Sequence, residues 1–216
     1  EGPLSNGIAD RFIALNIPVF GPTKVAAQLE ASKSYAKKIM KELGIPTGRW
    51  KLMPRESFLD LSKNINAPCV IKADGLAAGK GVFVCNNDLD IIAAVDAVKG
   101  DKFGNSADFI IIEEMLFGEE ASIMAICDGE SSVMLPPCRD YKRRFNGDRG
   151  PNTGGMGSIC PAPGITTDFL LQIQKSIVNP VLRKMKKNGI EFRGLLYVGL
   201  MLTDCGPKVL EFNVRF

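Results

Sequence analysis

One run constrains this chain more than any other: Val70-Ile71-Lys72-Ala73-Asp74-Gly75-Leu76-Ala77-Ala78-Gly79-Lys80-Gly81-Val82-Phe83-Val84. Apolar residues flank a loop with glycine at 75, 79 and 81. The run predicts a strand bearing Lys72, a turn of small residues, and a second strand. Backbone N–H groups in such a loop can approach a polyphosphate, and Lys72 and Lys80 add positive charge there. It is not a Walker A loop, because only three residues separate Gly75 from Gly79-Lys80 and no Ser or Thr follows. It is not a dinucleotide fingerprint either, since a strand rather than a helix follows Gly81. On this segment alone an ordinary glycine-rich hairpin also satisfies the pattern.

The remaining composition narrows the chemistry. With 216 residues, 45% hydrophobic and 24% charged, the chain can bury a full core as one domain or two closely packed ones. A net charge of +3 is too small to argue for nucleic acid or a membrane as the main partner. The dense basic cluster Arg139, Lys142, Arg143 and Arg144 reads equally well as a solvated loop. There are six cysteines, none in a C-x-x-C pair, and no histidine. Zinc sites and histidine-based relays are therefore disfavoured, and chemistry falls to carboxylates, lysines, arginines, a metal ion or backbone. Cys69, Cys85 and Cys127 lie in apolar runs as small hydrophobes, which fits a reducing compartment. No signal peptide is visible, and no apolar run approaches the length of a membrane span.

Periodicity predicts a short helix around Ile8, Phe12 and Leu15, a strand at Pro18–Phe20, and a helix from about Lys24 to Leu43 stopped by Gly44 and Pro46. A strand at Trp50, a helix after Pro54 to Lys63, strands 68–73 and 81–85, a helix 88–99 and a strand 109–114 follow. They give a β-α-β-β-α-β unit between Gly48 and Met115. Residues 120–127 and 132–135 read as strands joined at Asp128-Gly129. The region 136–165 has almost no periodicity and is expected to be an irregular functional loop. A helix over 166–187 with a kink at Pro180, then strands 195–203 and 208–216, complete the chain.

Three further motifs can carry chemistry. Glu113-Glu114-Met115-Leu116 ends a buried strand, where backbone atoms can meet an adenine edge and Glu120 can hold ribose hydroxyls. An acidic hairpin end exposed to water fits that segment as well. In Glu211-Phe212-Asn213, alternation puts Glu211 and Asn213 on one strand face, an anionic and a neutral oxygen suited to magnesium, with Arg215 on the same face. A half-exposed polar strand face is the alternative. Gly150-Pro151-Asn152-Thr153-Gly154-Gly155-Met156-Gly157 offers backbone donors that could wrap a sugar phosphate, preceded by Asp140, Lys142 and Arg143. A flexible lid would also fit.

Taken together these runs resemble the ATP-grasp enzymes, and more closely the glycinamide ribonucleotide synthetase (phosphoribosylamine–glycine ligase) family. The matching runs also include Phe20-Gly21-Pro22-Thr23, Gln28-Leu29-Glu30, Ser32-Lys33, Gly118–Ser122, Asp140–Arg143, Pro161-Ala162-Pro163 and Leu210–Asn213, in order across the chain. Tyr141 stands where the family usually has histidine, and Val214 where it usually has cysteine. The resemblance implies an α+β fold of two α/β subdomains with ATP between them. It divides the chain into 1–22, a remnant of an N-terminal α/β domain; 47–112, a small lid subdomain; and 23–46 with 113–216, a larger subdomain truncated at its C-terminus.

The resemblance also implies an ATP-dependent ligase that joins glycine to 5-phosphoribosylamine through glycyl phosphate, in de novo purine biosynthesis. The alternatives are an ATP-binding module inactive alone and an ATP-grasp ligase with another acceptor. Lys72 and Arg215 would be catalytic. Lys33, Lys72, Gly75, Gly79, Lys80, Gly81, Glu113, Glu114, Met115, Leu116 and Glu120 would bind ATP. Asp140, Lys142, Arg143, Asn152, Thr153, Gly154, Gly155, Met156 and Arg215 would bind substrate. Glu211 and Asn213 would hold Mg2+, with Mn2+ as the alternative ion. The implied setting is cytoplasmic, with small-molecule substrates, no nucleic acid and no membrane, as the central portion of a longer, multifunctional polypeptide.

Overall fold

The computed structural model describes residues 1–77, 80–100, 102–147 and 149–216, the side chains of 149, 151 and 152 excepted. The chain opens with α1 (Gly2–Ser5) and α2 (Ile8–Ala14). The strand predicted at Pro18–Phe20 does not form: the segment joins no sheet. Pro18 removes one of the three N–H donors of that segment, and Pro22 blocks its extension. The single helix predicted over 24–43 is instead α3 (Gln28–Ala31) and α4 (Lys33–Leu43), broken at Ser32. Ser32 is extended (φ −132°, ψ 110°), and its hydroxyl accepts the Tyr35 N–H at 3.2 Å, capping α4. Helical periodicity runs across the break because Leu29, Ala36, Ile39 and Met40 all enter one core. Gly44 closes α4 in the left-handed region, φ 65°.

The expected β-α-β-β-α-β unit is present as β1 (Trp50–Pro54), α5 (Arg55–Leu61), β2 (Cys69–Ala73), β3 (Val82–Cys85), α6 (Asp88–Lys99) and β4 (Phe109–Glu114). Its strands form an antiparallel sheet in the order β1-β4-β2-β3. Phe58 from α5, and Ile91, Ala94, Val95 and Val98 from α6, cover one face. A reciprocal box starts α6: Asp90 N–H donates to Asn87 Oδ1 at 3.1 Å and Asn87 N–H to Asp90 Oδ2 at 3.3 Å. Alternation along β2 sends Cys69, Ile71 and Ala73 into that core, so Lys72 emerges on the opposite face.

The loop after β2 is tied to α4. Asp74 accepts the Ser34 N–H at 2.6 Å and the Ser34 hydroxyl at 2.7 Å. An anion at a helix N-terminus is favourable, and this contact fixes the first turn of α4 beside the glycine loop. Gly75 sits so close to the next segment that an added Cβ would lie 2.8 Å from Ser106 Cα. Only glycine fits that approach.

β5 (Glu119–Asp128) and β6 (Ser132–Met134) begin the second sheet. The region expected to be irregular instead contains a two-stranded ribbon, β7 (Arg139–Phe145) and β8 (Arg149–Ile159), with register shifts at Tyr141/Arg143 and Arg143/Phe145. Backbone pairing, braced by the Arg143 and Thr153 side chains, builds it. Among its described side chains none is buried, so no alternation marks it in the sequence. Next come α7 (Thr167–Ile173), a π-helical turn (Gln174–Val178) and α8 (Asn179–Lys187). Pro180 lies in the first turn of α8, and the wide turn before it takes up the irregularity expected as a kink.

Finally, β9 (Arg193–Thr203) and β10 (Gly206–Asn213) complete an antiparallel sheet ordered β10-β9-β5-β6. Val181, Leu182 and Met185 of α8, with residues of α3 and α4, cover Ala121, Ile123, Leu196, Val198 and Leu200. Each such fully buried aliphatic side chain contributes about 1.5–3 kcal/mol. A register shift between Val209 and Glu211 keeps both Val209 and Phe212 in this core. Glu211 and Asn213 therefore face the other way.

Candidate functional site

A cleft of about 390 Å³ lies where the two sheets meet α4 and the ribbon. Lys72 reaches it from β2, Glu211 and Asn213 from β10, Lys33 from α4, and Asp140, Lys142 and Gly154 from the ribbon. Gly81 and Arg215 also line it. These nine expected site residues are thus brought together.

The lysine wall is built in a definite order. Lys33 and Lys37 lie four apart on α4 and so share one helix face. Lys33 Nζ donates to Gly75 O at 3.1 Å, linking α4 to the glycine loop a second time. Lys37 is 2% exposed; its ammonium donates to Glu113 Oε1 and, at 2.6 Å, to Thr47 Oγ1. Glu113 Oε2 lies 2.6 Å from Lys72 Nζ, an ion pair rather than a directed hydrogen bond. This contact follows from register. Lys72 pairs with Ile111, which puts Glu113 two residues on, on the same face of β4. Burial, opposed by Glu211 and reinforced by the Lys72 charge, holds Lys33 below its ordinary pKa. Burial and then the neighbouring Lys72 push Lys37 down to about 8, against the pull of Glu113.

Across the cleft, Asn213 Nδ2 lies 3.5 Å from Glu211 Oε1. Ser122 Oγ bonds both Asp140 Oδ1, at 3.2 Å, and the Tyr197 hydroxyl, at 2.8 Å. Lys142 Nζ lies 3.4 Å from Asp140 Oδ2 and 3.6 Å from Glu120 Oε2. Burial alone would lower the Lys142 pKa, yet Tyr197, Glu120, Asp140 and Glu211 outweigh it and hold it above its ordinary value. Arg215 lies past the end of β10. Its Nε donates to Glu30 Oε1 at 3.0 Å and its Nη2 to Glu1 Oε1 at 2.9 Å, while Glu30 Oε2 accepts the Val214 N–H at 2.8 Å.

Other expected residues do not line the cleft. Glu113 is buried behind Lys72, and Glu114 turns away to Arg49 at 3.2 Å and Lys208 at 3.9 Å. Gly75, Lys80, Met115, Leu116 and Glu120 lie outside its lining. Arg143 donates to Gly150 O at 2.9 Å and Thr153 Oγ1 to Lys142 O at 2.9 Å, so both brace the ribbon itself. Gly155 and Met156 are exposed. Gly79 and the Asn152 side chain lie outside the described residues. Lys37, Glu30, Asp74 and Tyr197 were not anticipated. The K-x-x-x-K spacing from Lys33 could have pointed to Lys37; Asp74 and Glu30 lie inside runs already singled out, and nothing local marks Tyr197.

Two sheets closing on one cleft, with Lys72 from one and Lys33 from α4 facing an acid–amide pair from the other, define an ATP-grasp protein. The chain belongs to the phosphoribosylglycinamide synthetase family, whose ATP-grasp (A) domain model matches residues 31–216. It is 49% identical over 218 residues to a phosphoribosylamine–glycine ligase of Caldanaerobacter subterraneus, covering 100% of this chain and 52% of that protein. It is 47% identical to the trifunctional purine biosynthetic protein adenosine-3 of Gallus gallus, covering 100% of this chain and 22% of that one. The crystal structure of a phosphoribosylamine–glycine ligase from Thermotoga maritima superposes with a TM-score of 0.81 at 44% identity, over 92% of this chain and 51% of that one. The chain thus spans about half the length of the single-function relatives it matches.

Proposed function

We propose that this chain forms the ATP-binding core of a phosphoribosylamine–glycine ligase, joining glycine to 5-phosphoribosylamine to give glycinamide ribonucleotide, ADP and phosphate. The observation that carries this reading is that Lys72, from the first sheet, and Glu211, from the second, line one cleft. ATP would supply the γ-phosphate that converts the glycine carboxylate to glycyl phosphate, whose phosphate the amine then displaces. On this reading Lys33 and Lys72 hold the phosphates, and charge neutralisation with positioning does most of the catalytic work. Residues 113–116 meet the adenine edge and Glu120 the ribose. Met115 and Leu116 support that role, since their backbone groups bond no other described backbone.

The donor set fits a magnesium ion. Glu211 and Asn213 sit side by side, and the described residues hold no group of three or more His, Cys, Asp or Glu able to bind a metal. Magnesium needs few protein ligands when water and phosphate oxygens fill its other positions; manganese would accept the same donors. Asp140, Lys142 and Gly154, which line the cleft, face the sugar phosphate or glycine, and Arg143, Asn152, Thr153, Gly155 and Met156 would join them once substrate is bound. Arg215, oriented by Glu30, neutralises a carboxylate or phosphate there. Residues 47–112 act as a lid over 23–46 and 113–216, excluding water from the acyl phosphate. The six free cysteines favour the cytoplasm, and the trifunctional relative supports a multifunctional polypeptide.

The test is glycine- and phosphoribosylamine-dependent ADP release by the polypeptide that carries this chain, with Glu211→Gln beside the wild type. Loss of turnover with an unchanged circular dichroism spectrum is expected. Normal turnover by Glu211→Gln would show the metal assignment to be wrong, and turnover with a different amine would show the acceptor to be wrong.

A further inference from the structure

Cys138 and Cys160 face each other across the base of the ribbon. Arg139 pairs with Ile159 and Asp140 with Ser158, so the register carried one step outward sets Cys138 opposite Cys160. Both thiols converge on Pro136 O, at 3.7 Å and 4.0 Å. Cys138 spends its own N–H and C=O on Ser122, at 2.9 Å and 2.7 Å. The Cys138/Cys160 pair is therefore a non-hydrogen-bonded one, in which opposed Cα atoms approach to about 4.5 Å and side chains are closest. That spacing lies within the range a disulfide spans.

We propose that Cys138 and Cys160 form a reversible dithiol modification site that reacts with low-molecular-weight disulfides and, once oxidised, pins the ribbon that lines the cleft. The exposed Cys160 thiolate attacks one sulfur of the small disulfide, forming a mixed disulfide and releasing one small thiolate. The Cys138 thiolate then attacks the Cys160 sulfur and expels the second small thiol. In total two protein thiols are oxidised to one disulfide, and one small disulfide is reduced to two thiols. Exposure sets the order, since Cys160 is open to solvent and Cys138 is half-buried. Burial and the Cys160 neighbour also raise the Cys138 thiol to about 11, which leaves first attack to Cys160.

The other opposed pair, Cys69 and Cys85, has the same cross-strand placement but is buried in the first-sheet core, out of reach of solutes. The bond between 138 and 160 would close the whole ribbon, with Asp140 and Lys142, into a loop anchored to β5 at Ser122. This proposal rests on the ribbon's geometry and stands apart from the identity of the cleft's ligand.

The experiment treats the reduced protein with oxidised glutathione and counts thiols after denaturation. Two of the six thiols should disappear, and unreduced tryptic peptides should show Cys138 joined to Cys160. Native trypsin cleavage within 139–159 should slow by about tenfold or more, because release of the ribbon is restrained at its base. A thiol reductant should restore the original rate. Cys138→Ser and Cys160→Ser should each abolish the crosslink and the protection, and Cys205→Ser should leave both. A glutathione adduct remaining on Cys160 with Cys138 unmodified would overturn the proposal. So would a crosslink between other cysteines, or a crosslink that leaves the cleavage rate unchanged.

Discussion

Replacing Glu113 by Gln removes the one negative charge between two buried lysines and leaves its shape nearly intact. Glu113 is 3% exposed, Lys37 2% and Lys72 7%, and the carboxylate contacts both ammonium groups. Breaking a buried pair by removing one partner costs about 3–5 kcal/mol. The Gln oxygen still accepts from Lys37, so the lower end, about 3 kcal/mol, is expected. Lys37→Met should cost less, about 1–2 kcal/mol, because Glu113 keeps Lys72. Urea unfolding reports both through Trp50, the sole tryptophan, which pairs in register with Glu113. With a urea slope of about 2 kcal/mol/M, Glu113→Gln should lower the midpoint by roughly 1.5 M. In the double variant the two losses should fall short of their sum, since one contact is counted in both. A Glu113→Gln midpoint equal to wild type, or strict additivity with Lys37→Met, would refute the reasoning.

Lys37 also predicts a pH dependence. Its pKa is lowered from 10.5 to about 8 on folding, so between those values the unfolded chain binds more protons and stability rises with pH. The gain from this group should reach about 3 kcal/mol across the window, and Lys37→Met should flatten the profile of midpoint against pH. Asp74→Asn removes the anion at the α4 N-terminus and one of its two acceptor oxygens. A loss of about 1 kcal/mol is expected, with faster amide exchange in the first turn of α4 while α6 stays protected.

Legibility in the sequence followed the strength of each local signal. The β-α-β-β-α-β unit could be read because both its periods are strong: Cys69, Ile71 and Ala73 at two, Ile91, Val95 and Val98 along a helix. The same alternation gave the shared face of Glu211 and Asn213. The ribbon could not be read, because its few apolar residues, Tyr141, Phe145, Met156 and Ile159, are too sparse among polar residues and glycine to leave a hydrophobic period. The break at Ser32 was hidden since α3 and α4 pack into one core, and the Asp74 carboxylate that binds the first turn of α4 through Ser34 lies forty residues away. Lys37 escaped notice for a related reason: on a helix a lysine usually means solvent, and its partners Thr47 and Glu113 meet it only in the folded chain. Arg215 was expected on the Glu211 face of the last strand, but β10 ends at Asn213 and Glu30 takes hold of the guanidinium.

The central claim is that one triphosphate site is shared by Lys72 and by a magnesium on Glu211 and Asn213. Calorimetric titration with a non-hydrolysable ATP analogue, with and without magnesium, tests it directly. Lys72→Ala should weaken binding at least about tenfold in both conditions. Glu211→Gln should leave the metal-free affinity unchanged and erase the gain that magnesium brings. Unaltered magnesium enhancement in Glu211→Gln, or wild-type affinity in Lys72→Ala, would contradict the account.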